Sequence, residues 1–124
     1  MIWAVRIHPE RPQSTYGQFS SYLADEAESH SNYQAAIANQ GHHNWDSRFH
    51  RINGHFPGFL AQEVCAESWP GKGLFAAAID CVHSWRQSSG HWGAVRSRQN
   101  YYGYDISCGR NGIWYATGIF SARR

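Results

Sequence analysis

Apolar and aromatic side chains recur at helical spacing through Phe19, Leu23, Ala27, His30, Tyr33 and Ile37, and the pattern stops at Gly41. Thr15 followed three positions on by Gln18 fits a capping box, so the spacing predicts a helix from about Tyr16 to Asn39. A second stripe, Leu74, Ala78, Cys81, Val82 and Trp85, follows the break made by Pro70, Gly71 and Gly73. It predicts a helix over Leu74–Gln87 with Trp85 in the core. Between the two, Trp45, Phe49 and Ile52 share a face and predict a short helix over Asp46–Ile52, in a stretch otherwise read as loop. Phe59 to Ala66 alternates, with Phe59, Ala61, Glu63 and Cys65 on one side and Leu60, Gln62, Val64 and Ala66 on the other, the pattern of a strand. Tyr101–Cys108 and Ile113–Ser121 flank Gly109-Arg110-Asn111-Gly112 and read as a hairpin. Met1 to Gln13, with Pro9 and Pro12, reads as an irregular lead-in.

Helices and antiparallel strands fall in separate blocks, which predicts an α+β fold. The length of 124 residues suits one domain, 1–124. With 42% hydrophobic and 15% aromatic residues, the chain can bury enough apolar surface to offset the entropy of ordering. The formal charge of +2, with 16% charged residues, gives no strong pull toward nucleic acid or anionic membrane, and Arg96, Arg98, Arg123 and Arg124 read as solvated surface. No window is long and apolar enough for a transmembrane helix, and the opening Met1-Ile2-Trp3-Ala4-Val5-Arg6 is too short for the apolar region of a signal peptide. The expectation is a soluble chain with no nucleic-acid partner.

Cys65, Cys81 and Cys108 lack CxxC spacing, which argues against a thiolate zinc site, and an odd count leaves at least one thiol free. Each is expected to be a small buried hydrophobe. No GxSxG nucleophile motif occurs. Histidine carries the candidate chemistry. Gly41-His42-His43-Asn44-Trp45-Asp46-Ser47-Arg48-Phe49 places two histidines after the first helix, and Ser88-Ser89-Gly90-His91 sets another where Gly90 frees the backbone beyond the second. His30 lies on the apolar stripe and is expected to be buried and hydrogen-bonded, while His50, His55 and His83 are expected at the surface.

Four blocks together resemble the CAP superfamily, the SCP-like domain of cysteine-rich secretory, antigen 5 and pathogenesis-related proteins, in a short bacterial form. They are His42-His43-Asn44-Trp45-Asp46-Ser47-Arg48, Ala61-Gln62-Glu63-Val64, the helix ending on Trp85 with Ser88-Ser89-Gly90-His91 after it, and Tyr102-Gly103-Tyr104 with Gly112 to Phe120. The resemblance runs from about Leu23 to Phe120. Val64 stands where the family has asparagine, the eukaryotic cysteine pattern is missing, and the second glutamate of larger members has no counterpart near Trp85.

The resemblance implies a three-layer α-β-α sandwich on a small antiparallel sheet, and a secreted or cell-surface location. It implies a module binding a small molecule, lipid, glycan or protein, with a central His/Glu cleft able to hold a divalent metal such as Zn²⁺ on His42 and His91. One-residue slippage exchanges His42 with His43; the three-residue steps to Trp45 and Arg48 favour His42. The alternative is a hydrolase in which a metal-bound water, or Glu63 paired with His91, supplies the base. The same polar trio also reads as a satisfied structural hydrogen-bond network.

Overall fold

The computed structural model describes residues 1–123. Five helices and four strands follow in the order α1 (Ile2–Arg6), β1 (Gln18–Phe19), α2 (Ser21–Ile37), α3 (Trp45–His55), β2 (Phe59–Glu67), α4 (Leu74–Arg86), α5 (Ser89–Arg96), β3 (Tyr101–Cys108) and β4 (Trp114–Arg123). The sheet order is β1-β3-β4-β2. β3 and β4 form the expected hairpin, closed by Gly109 N–H to Ile113 O at 2.8 Å, and β2 lies antiparallel to β4 with Glu63 opposite Ile119. The sheet is mixed rather than purely antiparallel, because the two-residue β1 pairs parallel to β3 at Gln18↔Tyr101 and Phe19↔Tyr102.

Helices cover both faces. On one side α4 and its neighbours bury Ala78, Cys81, Val82, Trp85, Trp92 and Val95 against Val64, Ala66, Tyr104 and Phe120. On the other, α2 and α3 bury Leu23, Ala27 and Ile52 against Ala61 and Ile119. This is an α+β fold in three layers, and it explains why β2 alternates only at its start: from Val64 to Ala66 both faces are covered. Trp85 is fully buried as expected, and its indole N–H donates to Cys65 O at 3.0 Å.

Several local expectations are corrected. The first helix starts at Ser21, and its cap is Ser20, which accepts from Leu23 N at 3.1 Å. Thr15 is instead buried and accepts from Arg6 Nε. Over Gln18–Phe19 the backbone pairs with β3 instead of forming helix, with Gln18 N donating to Asn100 O and Ser20 N to Tyr102 O, both at 2.9 Å, and the approach is so close that a Cβ on Gly17 would sit 1.9 Å from Gln99 O. The helix stops at Ile37 on Ala38 in the left-handed region, before Gly41. Its buried stripe turns from Leu23 and Ala27 to His30, Ser31 and Gln34, leaving Tyr33 and Ile37 exposed. Ser31 and Gln34 are satisfied by hydrogen bonds to Thr117 Oγ1 at 2.8 and 3.0 Å. The lead-in holds the short α1, anchored by buried Ala4 and Val5. All three cysteines are free; Cys65 and Cys81 are buried, but Cys108 is exposed. Arg96, Arg98 and Arg123 are at the surface as expected, and Arg124 lies outside the described residues.

Candidate functional site

The buried polar end of α2 positions the first histidine of the site. Gln34 Oε1 accepts from Gly41 N at 3.0 Å, and His30 Nε2–H donates to Gly41 O at 2.6 Å. These bonds pin the loop into α3, whose first turn begins at Asn44 in the left-handed conformation that asparagine tolerates. His42 is thereby held over the β2 edge, where Nδ1–H donates to Glu63 Oε1 at 3.0 Å. Next to it, His43 faces away: its ring packs at 5.9 Å from that of His30 and 5.6 Å from that of Tyr33. Of the two, His42, which motif spacing favours, is the one that meets Glu63.

Glu63 is the hub. Its side chain has 0% exposure, and the exposure the residue retains belongs to its backbone on an edge strand. Arg48 grips it through both oxygens, Nε to Oε2 at 2.8 Å and Nη2 to Oε1 at 2.7 Å, while Nη1 of Arg48 donates to His43 O at 2.5 Å. The Cys65 thiol, two positions along the same strand face, donates to Oε1 at 3.4 Å, and His30 Nε2 stands 3.8 Å away. Burial alone would push the Glu63 carboxyl up, but the bonds from His42 and Arg48 outweigh it and hold the group below the ordinary carboxylate range. Burial, reinforced by the adjacent carboxylate, pushes the Cys65 thiol far above its ordinary value, so it is no thiolate nucleophile. The sequence singled out Glu63 and quoted Arg48 only for its spacing. Its role as the carboxylate's clamp was missed, although a buried strand carboxylate needs such a partner.

His91 is not in a loop. The chain passes through Ser88 in extended geometry and re-enters a helix at once, so His91 is the third residue of α5. The apolar pair Trp92 and Val95, both buried, draws this turn into the core, and Gly90 adopts no left-handed geometry. His91 still reaches the site: its ring lies 5.9 Å from that of His42. Burial, and next the neighbouring His42, lower its pKa and favour the neutral imidazole. Among the described residues no hydrogen bond engages either His91 ring nitrogen or Nε2 of His42, and none joins His91 to Glu63. Of the remaining histidines, His30 is buried as expected, and His50, His55 and His83 are exposed.

One cluster among the described residues has the ligand spacing of a metal site. Ligand atoms of His30, Glu63 and Cys65 lie within 4.8 Å of one another. That cluster already satisfies itself: Arg48 occupies both carboxylate oxygens, Cys65 holds its proton, and His30 is committed to Gly41. A cation there would have to displace a guanidinium and deprotonate a deeply buried thiol. Nε2 of His42 and both ring nitrogens of His91 carry no such hydrogen bonds among the described residues.

No family model matches the chain, and no curated protein matches it. Among solved structures it is similar to an outer surface protein from Borrelia burgdorferi, at 17% identity and a TM-score of 0.66, over 87% of this chain and 78% of that one. At that identity the likeness speaks for the α+β fold alone.

Proposed function

We propose that the chain is a CAP-like binding module, secreted or displayed at a cell surface, in which His42 and His91 hold a divalent metal, Zn²⁺ first, at the mouth of a polar cleft. The observation that carries this reading is the hydrogen bond from His42 Nδ1 to the ionised Glu63. It fixes the tautomer that leaves Nε2 as a free lone pair, the arrangement in which a carboxylate orients and strengthens a metal-binding imidazole. The 5.9 Å between the His42 and His91 rings suits two imidazoles sharing one ion at about 2.0–2.1 Å per Zn–N bond. Two protein nitrogens leave coordination positions for water or a ligand. The block resemblance supports the CAP assignment, and the surface location of the structurally similar Borrelia protein is compatible with the location proposed.

Binding is favoured over hydrolysis by the state of Glu63. A carboxylate held ionised, with both oxygens committed to Arg48, is a weak proton acceptor and a good anchor. Calorimetric titration of Zn²⁺ into the wild type, His42→Ala, His91→Ala and His83→Ala tests the site. Loss of binding in the first two with His83→Ala unchanged is expected, as is weakening when the pH is lowered through the histidine range, about 6.5 unperturbed. Equal binding by all four proteins would leave the trio as a structural network.

A further inference from the structure

Away from the histidines, a groove runs beside α4, with a volume of about 400 Å³ and a lining of Glu67, Trp69, Asp80, His83, Ser84 and Gln87. Trp69 is its conspicuous wall. The residue is 72% exposed, more than any other large hydrophobic residue described. Its indole stands in water beside the groove, where a flat ligand can stack on it.

The loop that carries Trp69 is held at nearly every residue. Ser68 exchanges bonds with Trp114 (Ser68 N to Trp114 O at 2.9 Å, Trp114 N to Ser68 Oγ at 3.0 Å). Trp69 N donates to Asp80 Oδ2 at 3.2 Å, Gly71 N to Gly112 O at 3.2 Å, and the Trp114 indole to Lys72 O at 2.9 Å. The backbone beneath the exposed ring is therefore ordered before any ligand arrives, which lowers the entropy cost of binding.

The groove beside the ring is polar rather than apolar. Glu67 forms no ion pair among the described residues, Ser84 offers a hydroxyl, and the Gln87 amide, 3.1 Å from His83 Nε2 through its nitrogen, keeps its oxygen free. Asp80 is tied to Lys72 at 3.3 Å. A flat aromatic face bordered by carboxylate, amide and hydroxyl matches a pyranose, whose C–H face stacks on indole while its equatorial hydroxyls hydrogen-bond at the rim. With two carboxylates against one lysine, the groove repels phosphates and acidic sugars. Its volume lies within the roughly 300–1,000 Å³ of small-ligand sites.

We propose that the Trp69 groove binds a neutral oligosaccharide, with Trp69 as the stacking platform and Glu67, Ser84 and Gln87 as hydroxyl partners. Neither His42 nor His91 lines this groove, and the site does not depend on that pair. The test is calorimetric titration of cellotetraose and tetra-N-acetylchitotetraose, with tetragalacturonate as the anionic comparison, into the wild type, Trp69→Ala, Trp69→Phe, Glu67→Gln and His91→Ala.

At least one neutral tetrasaccharide should bind, and tetragalacturonate more weakly. Trp69→Ala should weaken binding about tenfold, the scale of one lost stacking contact, and Trp69→Phe should retain most of it. Glu67→Gln should weaken binding, whereas His91→Ala should leave it unchanged. Because Trp69 is exposed, its alanine variant should melt with the wild type, so a loss of binding is not a loss of fold. The proposal is overturned if neither neutral sugar binds, if Trp69→Ala binds like the wild type, or if His91→Ala removes binding.

Discussion

At the scale of single residues, Glu63 and Arg48 form one unit. The carboxylate is fully enclosed and its charge is tolerable only because a guanidinium faces both oxygens. Removing that partner strands a buried anion, so Arg48→Ala is expected to destabilise the protein by ~3–5 kcal/mol, and Glu63→Gln in the same chain should recover part of the loss. Urea denaturation of the two single variants and the double variant measures the coupling; additive losses would show that the pair does not act as a unit. Glu63, His42 and His91 were visible in the sequence through the short blocks that resemble the CAP superfamily, with spacing used to prefer His42 over His43. The sequence could not show Arg48 or Cys65 converging on the carboxylate, or that the His91 ring meets the His42 ring at 5.9 Å without, among the described residues, a hydrogen bond to Glu63. Those facts depend on how a loop, two helices and an edge strand meet, and no local periodicity records that.

At the scale of elements, legibility follows what holds each segment. α4 and the β3–β4 hairpin were readable because their own apolar patterns match their buried faces. α1 spans five residues and α5 eight, lengths at which a helix is marginal on its own; burial of Val5, and of Trp92 and Val95, holds them. The two-residue β1 carries no pattern at all. A backbone-close approach of helix to sheet was equally hidden. A Cβ on Gly103 would lie 2.3 Å from Ala24 N and 2.5 Å from Leu23 C, so α2 touches β3 backbone to backbone. Gly103→Ala must push the helix off the sheet and should cost at least the ~1–3 kcal/mol of ordinary overpacking. Gly54, in α3, meets nothing within 4 Å, and its alanine variant should be neutral or stabilising through helix propensity. Thermal unfolding of both decides the matter; an unshifted melting temperature for Gly103→Ala would mean that the two layers are not in this contact.

At the scale of the whole molecule, titrating groups on both sides of the sheet set how stability varies with pH. His30 and His91 have lowered pKa values, chiefly from burial, so their contribution is present above about 6.5 and is lost as the unfolded chain takes up protons below it. Glu63, also lowered, adds a second loss below the ordinary carboxylate range. Asp105 on β3 works the other way. Burial first, and Glu28 next, raise its carboxyl from 3.8 to about 6, so its contribution is greatest at low pH and is lost as the pH rises through about 6. Ser107 and the Met1 amine oppose the shift without cancelling it. Asp105→Asn removes a charge that the fold disfavours while keeping an acceptor for the Ser107 hydroxyl. The variant should be more stable than the wild type at neutral pH, on the order of 1 kcal/mol once solvent screening of this half-buried group is allowed for. As the pH falls from 7 to 4 the advantage should shrink toward zero, because Asp105 becomes protonated in the wild type, while both proteins keep the losses from His30, His91 and Glu63. Urea denaturation at intervals across that range is the measurement. A stability difference that stays constant with pH would show that Asp105 titrates at its ordinary value and plays no part in the acid response.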